Sequence, residues 1–383
     1  MQRIYMDHSA TTPVAPEVVS LMTEVMKSAW GNPSSQHFYG SESRQVLNRA
    51  RKKVAELIGA SDSEIVFTSG GTEADNLAII GTALARQSRG RHLITSVVEH
   101  HAVLNAFHYL EKNGFEVTQL PVNAVAQVSA EQLKQAIRKD TTLISIMHAN
   151  NEVGSLQPVA EIGEIARESG IVFHSDAVQS VGRMPVDVRD LKVDLLSLSA
   201  HKFYGPKGIG ALYVRTGLDL TPLMLGGGQE KGMRSGTENL PGIAGLGLAA
   251  QKAREEMPAR MERMQQLAEY LILRITGEIP RAYLTGHPRM RIPGHTSFVF
   301  GSIDGTAILT FLNEKGIAAS GAAACSANSF QASHVLKAMG MKDELAHSAL
   351  RLSLGKDSTR EEVDYLMGIL PNLVEHQRLL WSL

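Results

Sequence analysis

Asp176, Gln179, Ser199, His201 and Lys202 place an acid, an amide, a hydroxyl, an imidazole and an amine within the stretch Ile171–Gly210. They follow two short apolar runs, Ile171–Phe173 and Leu195–Leu198, each ending in polar residues and small turns. Runs bounded in this way read as buried strands of a parallel sheet. In an open α/β sheet the ligand crevice lies beyond the carboxyl ends of the strands, so all five side chains would face one crevice. That set suits pyridoxal phosphate. The cofactor is held by a lysine Schiff base, and an acid paired with its ring nitrogen keeps the pyridinium protonated. Lys202 is then the Schiff-base lysine and Asp176 the pyridinium partner. Gln179, one turn further on, is within reach of the ring hydroxyl. Taken singly, Lys202 reads better as a solvated loop lysine and Asp176 as a strand-end cap. Matching pieces elsewhere in the chain shift that balance.

One such piece is Glu64–Thr68, a strand running into Ser69-Gly70-Gly71-Thr72-Glu73 and a helical pattern. Strand, glycine turn and helix N-terminus make a seat for phosphate, because free N–H groups and the helix dipole both favour an anion. Thr72 and Asp75 have the spacing of a capping box, so a plain capped helix is the equal alternative. His100 closes another strand at the same sheet edge, where an imidazole can stack on a flat ring or move protons. Asn150 and Asn151 end a further strand there. Gly205–Gly210 (GPKGIG) has the wrong spacing for a dinucleotide fingerprint and leads into a strand rather than a helix. The only cysteine, Cys325, lies in the small-residue run Gly321–Ser329. A lone intracellular cysteine is a candidate nucleophile, active as its thiolate. The alternative is a buried small hydrophobe, for which a small-residue loop is a poor setting.

These residues require elements to hold them. Strands at Leu93–Val98, Phe115–Gln119 and Leu143–Met147 alternate with helices from His101 and at Val159–Ser169, which predicts a mostly parallel sheet with covering helices. Helices are also expected at Pro16–Trp30 and Ser41–Ile58, whereas residues 1–13 look extended and irregular. Leu225–Asn239 is too glycine-rich for a regular element. Helices follow from Asn239 to about Ala253 and from Pro258 to about Ile275. After residue 256 the rhythm changes, with strands near Ala282–Leu284, Ser297–Phe300 and Leu350–Leu354. Helices at Asp304–Lys315, His334–Met339 and Thr359–Leu380 accompany them. The fold class is α/β: a large domain at 15–255 with a mostly parallel central sheet, and a smaller α+β domain at 256–383 bearing the cysteine loop. Residues 1–14 would pack with the small domain.

The 383 residues exceed a typical single domain. A content of 43% hydrophobic and 20% charged residues is ordinary for a globular protein. With 38 basic against 39 acidic side chains, charge argues for neither nucleic acid nor membrane. No apolar run is long enough to span a bilayer, and MQRIYMDHSATT lacks the core of a signal peptide. One cysteine fits a reducing compartment, so a cytoplasmic protein is expected.

Several motifs, taken together, resemble the cysteine desulfurases of NifS/IscS type. These belong to the class V aminotransferase group, with the fold-type I pyridoxal phosphate architecture. The motifs are SGGTEADN (Ser69–Asn76), EHHAVL (Glu99–Leu104), HANNEVG (His148–Gly154), HSDAVQ (His174–Gln179), SAHKFYGPKGIG (Ser199–Gly210) and RSGTEN (Arg234–Asn239). ASGAAACSANS and ELAHSALRLSLG extend the match towards the C-terminus. The resemblance implies that Lys202 carries the cofactor and shuttles protons, while His100 stacks on the ring. It implies that Asp176 and Gln179 hold the ring, and that Gly71, Thr72, Ser199 and His201 bind the phosphate with Thr237 of a neighbouring subunit. Asn151 and Arg351 would grip the substrate carboxylate, a role suited to arginine's planar fork. Cys325 would attack the substrate's sulfur, leaving alanine and an enzyme persulfide. No resident metal is implied, although Cys325 is a candidate transient ligand to an iron–sulfur cluster.

The implied partners are L-cysteine, a second copy of the chain, and a protein sulfur acceptor. That acceptor is an iron–sulfur scaffold or a relay for tRNA or cofactor thiolation. The segment around Cys325 resembles the group with an extended loop, but Phe330-Gln331-Ala332 stands where many relatives carry Leu-Glu-Pro. Losing that proline loosens the hinge, which bears on acceptor choice and transfer rate. The alternatives are another class V enzyme, such as a selenocysteine lyase or an aminotransferase, and a non-catalytic scaffold. A nicotinamide dehydrogenase ranks below both, since no fingerprint is properly placed.

Overall fold

The computed structural model describes residues 3–321 and 332–381. Twelve strands are found among them. In chain order they are β1 (Ile4–Tyr5), β2 (Ile65–Thr68), β3 (His92–Ser96), β4 (Glu116–Leu120), β5 (Thr141–Ser145), β6 (Val172–Asp176), β7 (Leu195–Ser199), β8 (Gly210–Val214), β9 (Ala282–Leu284), β10 (His295–Phe300), β11 (Ile317–Ala318) and β12 (Leu350–Ser353). Seven form one sheet in the order β2-β8-β7-β6-β5-β3-β4. Only β8 runs against its neighbours; the other pairings are parallel. Every residue of β2, β3, β5, β6, β7 and β8 is buried, which is why the sequence shows continuous apolar runs there rather than alternation. Helices cover both faces, and the expected α/β class with a mostly parallel sheet is what the chain adopts.

A second sheet, β12-β10-β9, is antiparallel, and β1 pairs in parallel with β11. A separate apolar cluster packs around these strands, from Ile4 and Met6 to Leu271, Phe298, Leu352 and Val374. The first residues are therefore less irregular than expected, because two of them add a strand to chain more than three hundred residues away. In place of separate helices at Asn239–Ala253 and Pro258–Ile275, one helix of 39 residues runs from Leu240 to Glu278 with Pro258 inside it. It buries Leu246, Ala250 and Ala253 in the cluster under the main sheet, and Leu271 and Ile275 in the other. Tertiary packing on both sides of the proline holds the helix through a residue that costs an isolated helix about 3 kcal/mol. The expected final helix divides instead into Arg360–Met367 and Leu370–Trp381.

The β2 turn differs from expectation in one respect that matters for the site. Thr72 and Asp75 form no capping box: the helix Gly71–Arg86 is capped at Gly70 with no side-chain bond. The Glu73 carboxylate instead accepts the Ser69 N–H at 2.7 Å. Asp75 lies one turn in, with Gly71, Ala78 and Thr82 on the buried stripe.

Candidate active site

The carboxyl ends of β2, β3, β5, β6 and β7 open on one cavity of about 300 Å³. Gly71, Thr72, His100, Asn151, Asp176, Gln179, Ser199, His201, Lys202 and Arg351 all line it. Each expected site residue except Thr237 and Cys325 is thus brought to one place. Thr237 is exposed on the glycine-rich loop. Cys325, with Phe330 and Gln331, lies outside the described residues.

Lys202 sits in the short 3-10 turn after β7. Its Nζ donates to the carbonyls of Ser9 and Ala10 at 2.8 Å each. Gln179 Nε2 donates to Ser9 as well, at 3.0 Å, and the Arg183 guanidinium donates to the His8 carbonyl and, at 3.3 Å, to the Lys202 carbonyl. The N-terminal segment therefore forms one wall of the cavity. Nothing in the sequence marks Ser9 and Ala10, because their contribution is backbone carbonyl, which every residue possesses.

Asp176 ends β6 and accepts the Val178 N–H at 2.9 Å. Burial pushes its carboxyl up to about 6, against the Val178 hydrogen bond and the Lys202 charge, which favour ionisation. His100 caps the His101–Lys112 helix, its Nδ1 accepting the Ala102 N–H at 3.1 Å. Burial first, then the charge of Lys202, lowers its pKa to about 4. At neutral pH it is therefore an uncharged ring with its proton on Nε2. His201 is lowered to about 4 by the same two causes, and its Nδ1 lies 3.1 Å from Thr11 Oγ1.

Arg351 crosses from β12. It is 1% exposed; Nη1 donates to the Asn151 carbonyl at 3.0 Å and Nη2 to Asp7 at 2.8 Å. The other Asp7 oxygen accepts the Ser320 hydroxyl at 2.8 Å. Asn150, beside Asn151, braces the turn itself, since its Oδ1 accepts the Glu152 and Val153 N–H groups.

A family model described as aminotransferase class-V matches residues 4–366. The cysteine desulfurase IscS of Dictyoglomus turgidum is 48% identical over 379 residues, 99% of this chain and 96% of that protein. The chain belongs to the cysteine desulfurases of the class-V aminotransferase family. The IscS protein of Methanosarcina thermophila is 50% identical over 98% of this chain and 93% of its own length. Among solved structures, a NifS-like protein superposes with a TM-score of 0.92 at 38% identity, covering 98% of this chain and all of that one. A structure described as SspA in complex with cysteine gives 0.83 at 39% identity, covering 94% of this chain and all of that one.

Members of this family use pyridoxal phosphate, and the cavity fits it. Gln179 Oε1 is buried without a donor among the described residues, an acceptor available to a ring hydroxyl. The first turn of the Gly71–Arg86 helix offers N–H groups without intrahelical partners, with Ser199 beside it. Gly71 lets the chain pass close there: a Cβ would lie 2.7 Å from Val178 Cγ2, so a larger residue would have to displace that side chain. Lys202 supplies the amine that the cofactor requires.

Proposed function

We propose that this chain is a pyridoxal phosphate-dependent desulfurase that converts L-cysteine to L-alanine and retains the sulfur as a persulfide on Cys325. The observation that carries this is the meeting of Lys202, Asp176, His100, Asn151 and Arg351 in one cavity, in a family with that activity. Bound there, the cofactor supplies an electron sink for bonds at the substrate's α-carbon. Lys202 forms the covalent link to it and afterwards moves protons. Asp176 and Gln179 would hold the ring, and neutral His100 would cover it and exchange protons through Nε2, since Nδ1 accepts the Ala102 N–H. Gly71, Thr72, Ser199 and His201 seat the phosphate.

Arg351 and Asn151, both buried, bind the substrate carboxylate and exclude water from it. The Cys325 thiolate takes the sulfur, so its own S–S bond forms as the substrate's C–S bond breaks. The electron pair of the broken C–S bond stays with the substrate carbon, which takes up a proton, so alanine leaves and the persulfide remains on the enzyme.

Thr237 completes the phosphate seat of a second copy in a homodimer. Its exposure supports this, as do the ion pairs that fix its loop: Arg51 with Glu230 at 2.6 Å and Arg234 with Glu73 at 2.8 Å. The chain divides into a large domain at 15–255 and a small one at 256–383 with residues 1–14 packed on it, a partition supported by the separate apolar clusters under the main sheet and around the second one. The persulfide passes to a protein acceptor that serves iron–sulfur assembly or thiolation. Among the described residues no helix is long and apolar enough to cross a membrane, and the cytoplasm is the proposed compartment.

The deciding experiment incubates wild type and Cys325→Ala with L-cysteine under reducing conditions and measures alanine and sulfide. A yellow wild type that forms both, and a mutant that loses both while staying yellow, are expected. An active Cys325→Ala would refute the persulfide route and leave an aminotransferase-like or lyase activity. A colourless wild type unable to take up the cofactor would refute the whole proposal.

A further inference from the structure

Successive residues of a strand point to opposite faces, so His174 and Asp176 share one face of β6. Asp75, on the buried stripe of the Gly71–Arg86 helix, covers that face. Its Oδ1 lies 3.6 Å from His174 Nε2, and it lines the same cavity as Asp176. The residue is 1% exposed, and Oδ1 meets no hydrogen-bond partner among the described residues.

The imidazole cannot serve as a counter-ion. Its Nε2 is bonded to Ser197 Oγ at 2.9 Å and its Nδ1 to Ser145 Oγ at 2.8 Å, and burial holds its pKa at about 3. Asp176 is better provided, with the Val178 N–H and the charge of Lys202. Glu99 is a third buried acid close enough to Asp75 that its ionisation would add to the repulsion, and Asp176 in turn acts on Glu99. Burial raises it to about 8, although it accepts the Met147 N–H and the Ser96 hydroxyl. Burial first and Asp176 second push the Asp75 carboxyl well above the usual range, opposed by the Ser197 hydroxyl. An ionised Asp75 would be a buried carboxylate lacking a full set of donors and facing a like charge, which is costly on both counts.

We infer that Asp75 is a positioning residue of the cofactor site, carried as the neutral acid, so that the Asp75–Asp176 pair holds a single negative charge and Asp176 keeps it. This rests on the cavity being the pyridoxal phosphate site. Asp176 lies in register with Ser197, whose hydroxyl meets both His174 and the Asp75 carboxyl, so Asp75 is linked to the strand pair from which Asp176 projects.

Four apoproteins test it: wild type, Asp75→Asn, Asp75→Ala and Asp176→Asn, each titrated with pyridoxal phosphate while the bound-cofactor absorbance is followed against pH. Near neutrality Asp75→Asn should match the wild-type affinity within about threefold and keep the spectrum. Asp75→Ala should bind about tenfold more weakly or worse, the scale of losing a buried polar partner. Asp176→Asn should bind weakly and show an altered band. On the alkaline side the wild-type profile should contain a step, Asp75 ionisation, that Asp75→Asn lacks. An Asp75→Asn as impaired as Asp176→Asn, or identical alkaline profiles for it and wild type, would overturn the inference. So would an Asp75→Ala indistinguishable from wild type. A wild type that binds no cofactor would overturn both this and the proposed function, whereas the other outcomes leave the proposed function standing.

Discussion

Lys202 is the amine of this cavity, and among the described residues no other lysine lines it. Lys202→Ala should abolish alanine formation from L-cysteine, and retained turnover would show that the covalent anchor is elsewhere. His100 separates two roles that an imidazole can play. His100→Phe keeps a flat ring but has no proton to exchange; turnover should fall by about 10²–10⁴, and an undiminished rate would leave stacking as its only role. Arg351→Lys replaces a planar fork by a point charge. KM for L-cysteine should rise at least about tenfold, equivalent to about 1.4 kcal/mol, with a smaller change in kcat. At this scale the legible residues are those whose side-chain chemistry is rare and specific, such as Lys202 after an apolar run. Asp75 reads as a cap because the sequence alone does not say which face of a helix is inward. Its spacing from Gly71, Ala78 and Thr82 carries the missing signal, an acid in a stripe of small residues.

The elements that hold these residues are fastened by a few buried polar contacts. Arg51, on the Phe38–Leu57 helix, pairs with Glu230, whose other contact is the Phe67 N–H at 2.9 Å. One ion pair thereby ties a helix, β2 and the loop that carries Thr237. With the Glu230 side chain 3% exposed, Arg51→Ala would strand a buried carboxylate at a cost of about 3–5 kcal/mol. Urea unfolding should show that loss, and an unchanged midpoint would mean that water replaces the guanidinium. Most strands are legible within a residue or two, because β3, β5, β6 and β7 are apolar runs ended by turns. The continuity of the Leu240–Glu278 helix is not. Proline at 258 is a sound stop signal locally, and only the apolar clusters on either side of it, formed by residues distant in sequence, override that signal.

Across the whole molecule, burial works on the two classes of titratable group in opposite directions. His8, His100, His148 and His201 are lowered to about 4. The unfolded chain, with imidazoles near 6.5, binds their protons first, so stability is lost as pH falls from about 6.5 to 4. Glu99 is the reverse. Held at about 8 by burial, it keeps its proton in the fold while the unfolded carboxyl has already ionised, so its contribution is lost as pH rises from about 4.5 to 8. For the apoprotein, Glu99→Gln should gain melting temperature relative to wild type as pH is raised from 5 to 8. A constant difference would place Glu99 among the ionised groups. The N-terminal wall has a further consequence, for the order of events during synthesis. Asp7 is bonded to Arg351, 344 positions later, and Ser9 and Ala10 hold the Lys202 amine. At about 5–20 residues per second, the ribosome needs roughly 20–70 s between making the wall and making the arginine that clamps it. The main sheet can assemble on the nascent chain while that wall waits without its clamp. The cavity is then finished only after the last strand emerges, and the newborn polypeptide acquires its catalytic pocket as the closing act of folding.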